Sequence, residues 1–201
     1  MNDRIVDVEW VAARLEASDV AVVDVLDGWE YDGIGHVPGA VNVPFDSFRA
    51  DEHGDAEAGM LPGAETFGEL LGSVGISIDD EIVACDDTHG VFAARLLVTA
   101  ELYGHDPSKL HLLNGDYSAW SRSEPTTTDV PDPDPVEYPA RFRGDGPLID
   151  RAGIERAVDD PEAVIVDTRE QWEFEEGHVP GAVRLDWREL VDSDDRTIRP
   201  E

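Results

Sequence analysis

Apolar residues along the first half of the chain form short runs and helical stripes that alternate with polar turns. Behind Asp7, whose carboxylate can cap a helix, four apolar residues recur at helical spacing: Val8, Val11, Ala12 and Leu15. Strands are predicted over residues 20–24, 41–43, 81–85 and 110–113, and further helices over residues 64–74, 91–103 and 116–120. The run at residues 20–24 is almost continuously apolar, as in a strand buried on both faces. Strands that alternate with helices in this way predict an α/β fold with a parallel sheet.

One stretch of the pattern occurs twice. Residues 35–41 read Gly-His-Val-Pro-Gly-Ala-Val, and residues 177–183 repeat these seven residues without a change. A repeat this far apart indicates duplication of a whole domain and not a solenoid unit. The amino-acid composition changes between the two copies, where proline, aspartate and threonine dominate. The sequence therefore predicts a first domain over residues 1–124, a semi-extended linker over 125–147 and the start of a second domain over 148–201.

The alignment of the two copies locates an insertion. Asp24 aligns with Asp167 at an offset of 143 residues, whereas His36 aligns with His178 at an offset of 142. The first copy therefore has one extra residue between its aspartate and its histidine, and Ile34 is the predicted insertion. Because His36 directly precedes a Pro-Gly turn, we expect its ring nitrogens to tie this turn down and not to act as a catalytic base.

The charge of the chain restricts its partners and its environment. With 46 acidic and 15 basic residues the formal charge is −31, which repels nucleic acid and anionic lipid. The acids are spread over the whole chain, which is typical of a protein that stays soluble in concentrated salt, and we interpret it as a halophilic acidic protein. The sequence has no apolar run long enough to span a bilayer and no signal-peptide pattern at its N-terminus, so the expected location is the cytoplasm.

The chain contains a single cysteine, Cys85, which excludes an internal disulfide and a multi-cysteine metal site. Residues 86–90 form a loop between a predicted strand and a strongly apolar helix. Ligands of doubly wound sheets bind at the carboxyl ends of strands, so this loop is the place where chemistry is expected. Its adjacent carboxylates Asp86 and Asp87 leave metal-dependent phosphatase chemistry as a minor alternative. No metal and no cofactor is expected.

The repeated stretch and its surroundings resemble a known family. Residues 174–182, which follow Val166-Asp167-Thr168-Arg169, are similar to the aromatic-x-x-x-His-hydrophobic-Pro-Gly-Ala signature of rhodanese-type sulfurtransferases. Residues 114–120 resemble the aspartate-glycine-glycine stretch of that family, which ends in tryptophan. The resemblance implies a rhodanese-like parallel sheet flanked by helices on both faces, present as a tandem repeat whose second copy is incomplete in this chain. Two-domain members of the family look like thiosulfate or 3-mercaptopyruvate sulfurtransferases.

The resemblance also implies a mechanism. A cysteine at the strand-to-helix loop takes sulfane sulfur from a small anionic donor as a persulfide and passes it to a thiophilic acceptor. In tandem members this cysteine belongs to the second domain. In the first copy Asp86 occupies the nucleophile position, and the offset of 142 puts the equivalent position of the second copy at 228, outside the 201 residues. The chain alone is therefore expected to be inactive. Arg169, which aligns with Leu26, is the expected donor-binding residue, and an ion pair with Glu173 is its structural alternative.

Two further alternatives stay open. Cys85 lies one residue before the nucleophile position and is expected to be an inert core residue, although a shift of one residue in the loop would make it a nucleophile. The chain could also be a non-catalytic rhodanese-like binding or regulatory module with a partner protein. An incomplete second copy would leave an unpaired strand edge and expose residues 164–166.

Overall fold

The computed structural model describes residues 4–50, 60–144 and 146–198. The chain divides into two compact units, Met1–Gly144 and Asp145–Glu201. Residues 1–3 and 51–59 of the predicted first domain, residues 199–201 of the predicted second domain and residue 145 of the predicted linker lie outside the described residues. The boundary between the two units falls at the end of the proline-rich stretch and not at its start.

The described part of the first unit is built around a five-stranded parallel sheet. Its strands are β1 (Ile5–Val6), β2 (Val20–Asp24), β3 (Val41–Asn42), β4 (Glu81–Cys85) and β5 (Leu110–Leu113). They lie in the order β1-β5-β4-β2-β3, and each neighbouring pair is parallel. The helices are α1 (Val8–Ala12), α2 (Gly28–Gly33), α3 (Ala64–Ser73), α4 (Val91–Leu102) and α5 (Asp116–Ser123), with 3-10 turns at Phe45–Phe48 and Pro107–Lys109.

Both faces of this sheet are buried, because successive side chains of a strand point to opposite sides. Val23 and Ala84 belong to a core cluster that includes buried apolar residues of α3 and α4, among them Leu71 and Leu96. Their neighbours Val22 and Cys85 belong to a second cluster, which includes those of α1 and α5. The expected α/β fold, a parallel sheet with helices on both faces, is therefore confirmed.

Most predicted elements of the first unit are present near their expected bounds. β2, β4 and β5 match the predicted strands, and β3 is one residue shorter than the predicted 41–43. The Asp7 carboxylate accepts a hydrogen bond from the Trp10 amide at 2.8 Å and caps α1 as expected. The strand β1 and the helix α2 were not predicted, because two and six residues are too few for a hydrophobic period to show.

Residues 125–143, which the sequence predicts as a linker, run along the first unit as an extended segment that we call the strap. Its Thr127 forms an antiparallel bridge with His36, with N···O distances of 2.9 and 3.1 Å. Further along, the amide of Val136 donates to the Gly72 carbonyl at 3.0 Å, and Tyr138 is buried in the core. Main-chain hydrogen bonds hold the strap at Thr127, Val136, Arg141 and Arg143. Such bonds need no apolar side chains, so the sequence of the strap has the polar, proline-rich character of a linker.

Helix α3 accommodates the strap through glycines. A Cβ atom at Gly68 would lie 2.6 Å from the Tyr138 carbonyl oxygen, and one at Gly72 would also collide with the strap backbone. Only glycine, which has no Cβ atom, therefore allows the strap to approach the backbone of the helix at these two positions.

The second unit repeats the start of the first. Its described elements are α6 (Arg151–Val158), β6 (Val166–Asp167), α7 (Gln171–Glu176), β7 (Val183–Arg184) and a 3-10 turn at Trp187–Leu190. β6 and β7 are parallel, and Asp167 faces Arg184 as Asp24 faces Asn42 in the first unit. The strand pairing of the two units therefore agrees at the offsets found in the sequence, which supports the tandem duplication.

One edge of β6 differs from its counterpart in the first unit. There β2 pairs with β3 on one side and with β4 on the other. Within residues 146–198, β6 pairs with β7 alone. Val164 and Val166 are exposed by 76% and 46%, whereas Val23, the counterpart of Val166, is fully buried. The expected exposure of this segment is confirmed at both valines, and the incompleteness of the second domain stays a prediction.

Candidate active site

The loop after β4 surrounds the carboxylate of Asp86. This side chain is fully buried. Its Oδ1 accepts hydrogen bonds from the amides of Thr88 and Gly90 at 2.9 and 2.8 Å, and its Oδ2 accepts from those of Phe92 and Ala93 at 2.8 and 2.9 Å. The loop and the first turn of α4 thus form a cradle of four N–H groups, which we call the Asp86 cradle. The carboxylate satisfies amides that a helix N-terminus otherwise leaves unpaired.

The start of α5 holds the same loop from the other side. The Asp116 carboxylate accepts a hydrogen bond from the His89 amide at 2.7 Å, and both residues have positive φ angles, 64° and 63°. The Asp87 carboxylate accepts from the Ser118 hydroxyl at 2.6 Å. Adjacent carboxylates at positions 86 and 87 are therefore held by different partners and do not form a pair that could share a metal ion.

Cys85 lies at the end of β4 with its side chain in the core. The residue is fully buried in the apolar cluster shared with α1 and α5. Burial raises the pKa of its thiol well above the usual value, and the negative charges of Asp24 and Asp86 raise it further. A reactive cysteine needs access and a lowered pKa, so these properties fit the inert interpretation of Cys85.

In the second unit, Arg169 pairs with the aspartate at the end of β6. Its Nη2 lies 2.6 Å from Asp167 Oδ2 and 2.8 Å from the Gly177 carbonyl, and its Nε lies 3.0 Å from Asp167 Oδ1. The hydrogen bonds from Arg169 lower the pKa of Asp167 to about 2. The expected ion pair of Arg169 exists, but its hydrogen-bonded partner is Asp167 and not Glu173. The arginine side chain remains 45% exposed.

The equivalent aspartate of the first unit has no arginine. Asp24 is fully buried, and its Oδ1 accepts a hydrogen bond from the Leu26 amide at 2.9 Å, whereas its Oδ2 has no hydrogen-bond partner. Burial raises the pKa of Asp24 to about 6, against the opposing effects of the Leu26 amide and of His36. The first unit therefore contains a buried acid without a cation where the second unit has an aspartate–arginine pair.

The two histidines of the repeated stretch occupy the same local environment. The His36 ring stacks on Tyr31 and the His178 ring on Phe174, each at a centroid distance of 3.7 Å. In both units the Nδ1 atom contacts the carbonyl oxygen of the stacking residue, at 3.1 and 2.8 Å. In the first unit the strap covers this site, and His36 Nε2 lies 3.2 Å from the Asp129 carbonyl. Both histidines therefore hold the turn, as the sequence predicts for His36.

The end of α2 absorbs the extra residue of the first copy. The amides of Ile34 and Gly35 both donate to the Glu30 carbonyl, at 2.8 and 3.3 Å. In the second copy the amide of Gly177 alone donates to the equivalent carbonyl, that of Glu173. Ile34 is 62% exposed. The insertion therefore widens the last turn of the helix and leaves the histidine in place.

A cavity of about 350 Å³ lies beside the Asp86 cradle, at the carboxyl ends of β2 and β4. Its lining includes four acidic residues, namely Asp27, Glu30, Asp46 and Asp87, together with one basic residue, Arg49. The guanidinium of Arg49 forms an ion pair with Asp46 at 3.0 Å. The cavity is therefore acidic and unsuited to a small anion.

Two further arginines of the second unit were missed in the sequence. Arg184 ends β7, and Arg188 lies in the following 3-10 turn. They align with Asn42 and Asp46 of the first copy at the offset of 142. Together with Arg169, which aligns with Leu26, they make the carboxyl edge of the second sheet richer in arginine than that of the first. A comparison of the two copies position by position could have found them.

Among residues 4–50, 60–144 and 146–198, no group of three or more His, Cys, Asp or Glu residues is arranged to hold a metal ion. No helix within these ranges is long and apolar enough to cross a bilayer.

Comparison with protein families and known structures gives consistent matches. The family model described as the rhodanese-like domain matches residues 7–123 and 151–200. A thiosulfate sulfurtransferase of Corynebacterium glutamicum is 32% identical over 218 residues, which cover 94% of this chain and 67% of that protein. A putative thiosulfate sulfurtransferase of Haloferax volcanii is 32% identical over 220 residues, which cover 96% of this chain and 72% of that protein.

A solved structure shares the fold. The crystal structure of SseA from Escherichia coli, described as a 3-mercaptopyruvate sulfotransferase with the rhodanese fold, matches with a TM-score of 0.83 at 22% sequence identity. The match covers 98% of this chain and 79% of that chain.

Proposed function

The chain belongs to the rhodanese-like family, and from this membership we propose that it forms part of a tandem sulfurtransferase. The proposed reaction moves sulfane sulfur from thiosulfate or 3-mercaptopyruvate to a thiophilic acceptor. The observation that carries the proposal is the contrast between the two copies of one fold. The first copy holds a carboxylate, Asp86, at the nucleophile position, and the second copy has Arg169 at its strand end.

The proposed chemistry has two steps. A cysteine thiolate attacks the sulfane sulfur of thiosulfate, the S–S bond breaks, and sulfite leaves with the electron pair. The acceptor, for example cyanide, then attacks the outer sulfur of the persulfide and restores the thiolate. Backbone N–H groups of a strand-to-helix loop stabilise the thiolate and the developing anions.

The Asp86 cradle supports a catalytically silent first copy. All four amides of the cradle already bind the buried Asp86 carboxylate, so they have no capacity left for a substrate anion. A carboxylate cannot form a persulfide, and the neighbouring cavity is acidic. We therefore place the nucleophile in the second copy, at the position that the repeat maps to 228, outside these 201 residues.

Arg169 is the proposed donor-binding residue. Asp167 and the Gly177 carbonyl engage its Nε and Nη2 atoms, and the side chain stays partly exposed. Its Nη1 atom makes no hydrogen bond to the described residues, so it can donate to the anionic head of a donor.

A thiosulfate:cyanide assay tests the proposal. We expect no turnover above the uncatalysed rate for the 201-residue chain. The product of the same reading frame carried past codon 201 is expected to turn over, to lose activity when the cysteine near position 228 is changed to serine, and to keep activity in Cys85→Ser. Robust turnover by the 201-residue chain that Cys85→Ser abolishes would overturn this assignment of the nucleophile.

The second candidate function is a non-catalytic rhodanese-like module that binds a partner protein. The saturated Asp86 cradle favours it for the first copy, since the four amides of the loop are occupied and the loop holds no nucleophile. A reading frame that stops after codon 201, or an extended product without a cysteine in the equivalent loop, would favour the module over the enzyme.

A further inference from the structure

Arg188 bridges the two loops that leave the carboxyl ends of β6 and β7. Its Nε and Nη2 atoms lie 3.1 and 3.0 Å from Oδ1 and Oδ2 of Asp186, which follows β7. The same Nη2 lies 3.0 Å from Oε1 of Glu170, which follows Arg169 directly. We propose that Arg188 is a positioning residue that holds the Arg169 loop in the orientation needed for the sulfur donor. This inference rests on the donor-binding role proposed for Arg169.

Glu170 connects Arg188 to the backbone of the Arg169 loop. It is the N-cap residue of α7 and forms a capping box with Glu173. Its Oε1 faces Arg188, and its Oε2 accepts a hydrogen bond from the Trp172 indole at 2.9 Å. Both carboxylate oxygens are therefore engaged, and the backbone at residue 170 is held by the helix, by the indole and by Arg188.

The direction of the Arg169 side chain depends on this backbone. Asp167 and Gly177 fix one side of its guanidinium through Nε and Nη2. The direction of the remaining nitrogen, Nη1, therefore depends on the position of the backbone at residues 169 and 170. Because a planar guanidinium binds anions through directed N–H groups, a shift of this loop misaligns the donor site without removing its charge.

The first copy provides an internal comparison. Asp46 stands in the place of Arg188 and Asp27 in the place of Glu170, so the two equivalent side chains have the same charge and cannot pair. Asp46 instead pairs with Arg49 at 3.0 Å. The bridge is thus present in the copy that has an arginine at the donor position and absent from the copy that has Leu26 there.

Arg184 strengthens the bridge from the other end. Its Nη1 lies 3.5 Å from Asp186 Oδ2, and its Nη2 lies 2.9 Å from Glu189 Oε1. Asp186 is shared by Arg184 and Arg188 and also caps the 3-10 turn through the Arg188 amide at 3.0 Å. Single exposed ion pairs contribute little to stability, so the bridge is expected to act on orientation through a connected network and not on overall folding.

The test is a titration of the 201-residue chain with sodium thiosulfate at constant ionic strength, followed by the side-chain ¹⁵Nε–H signal of Arg169. We expect a saturable shift in the unsubstituted chain and an increase of about threefold to tenfold in its dissociation constant in Arg188→Gln. Arg188→Lys should restore part of the affinity, because a lysine can pair with one of the two carboxylates. Arg151→Gln is the matched control, since it removes the same charge and an exposed ion pair with Glu155 from the same unit.

A second variant changes the other end of the bridge, and two outcomes distinguish failure of the Arg188 role from failure of the donor-binding role of Arg169. Glu170→Gln removes the other end of the bridge and should weaken binding to a similar extent, while the backbone amide spectrum stays that of the folded unit. No saturable shift in the unsubstituted chain would overturn the donor-binding role of Arg169 and this inference with it. Saturable binding that is unchanged in both Arg188→Gln and Glu170→Gln would overturn this inference alone.

Discussion

The carboxylate of Asp167 accepts three hydrogen bonds from the Arg169 guanidinium, at 2.6, 3.0 and 3.2 Å, and this pair has no equivalent in the first unit. There the aspartate is Asp24, the arginine is replaced by Leu26, and the second carboxylate oxygen is buried without a partner. The pKa of Asp167 is about 2, whereas that of Asp24 is about 6. The pKa values of the two equivalent aspartates are thus shifted in opposite directions, which fits a division into a donor-binding copy and a silent one.

Asp24→Asn is expected to stabilise the first unit at neutral pH. The folded-state pKa of Asp24 lies above its unfolded value, so the folded state binds the proton more tightly, and stability falls as pH rises from about 4 to about 6. A shift of about two units corresponds to about 3 kcal/mol as an upper bound. Melting temperatures should therefore differ between Asp24→Asn and the unsubstituted chain at pH 7 and converge near pH 4. Asp32→Asn, at an exposed site of the same unit, is the control, and a difference that does not change with pH would contradict the prediction.

Arg169→Gln is expected to return the pKa of Asp167 towards its ordinary value, because the hydrogen bonds from Arg169 are the main cause of its depression to about 2. The stability that this pair contributes is present above pH 4 and is lost as pH falls through 2. Titration of the Asp167 carboxyl carbon by NMR measures the change. Arg151→Gln, which acts on a distant exposed pair, should leave this titration unchanged, and an unaltered curve in Arg169→Gln would refute the assignment.

Asp86→Ala should destabilise the first unit by about 2 to 4 kcal/mol, since it leaves four amides of the Asp86 cradle without their acceptor. Urea unfolding measures the loss. Asp106→Ala is the matched control, because Asp106 is exposed and its carboxylate accepts a hydrogen bond from the Ser108 amide at 2.8 Å. The control should lose about 1 kcal/mol or less. Equal losses in the two variants would show that the cradle contributes little.

Gly72→Ala is expected to displace the strap, because a Cβ atom there collides with the Val136 carbonyl oxygen. We expect a loss of about 1 to 3 kcal/mol in the free energy of unfolding. Hydrogen exchange should accelerate at the amides of Val136 and Arg141, which donate to the carbonyls of Gly72 and Tyr103 at 3.0 and 2.8 Å. Gly33→Ala, where a Cβ atom meets no atom within 4 Å, is the control and should be neutral or stabilising by up to about 1 kcal/mol. Unchanged exchange in Gly72→Ala would contradict close packing of the strap.

The melting temperature of the chain is expected to rise between 0.1 M and about 2 M KCl, because salt screens the repulsion among charges that sum to −31. A sorbitol series of matched osmolality separates screening from exclusion of the solute. A melting temperature that stays flat or falls with salt would remove the halophilic interpretation.

Much of the fold could be read from the sequence because burial is periodic in regular elements. Apolar runs identified the strands β2, β4 and β5, because these strands are buried on both faces. The capping residue Asp7 identified the start of α1. The strap could not be identified, because an extended segment held by main-chain hydrogen bonds has no hydrophobic period. Its role depends on Gly68 and Gly72, which are distant in sequence.

The sequence by itself determined the repeated stretch, the family and the presence of a carboxylate, Asp86, in the loop after β4, because these follow from residue order alone. The tertiary structure decided that four amides already hold the Asp86 carboxylate, that Arg169 pairs with Asp167 instead of Glu173, and that Arg188 bridges two loops. These facts depend on which polar atoms the backbone brings within about 3 Å of each other, and hydrogen bonds and ion pairs form only at such distances.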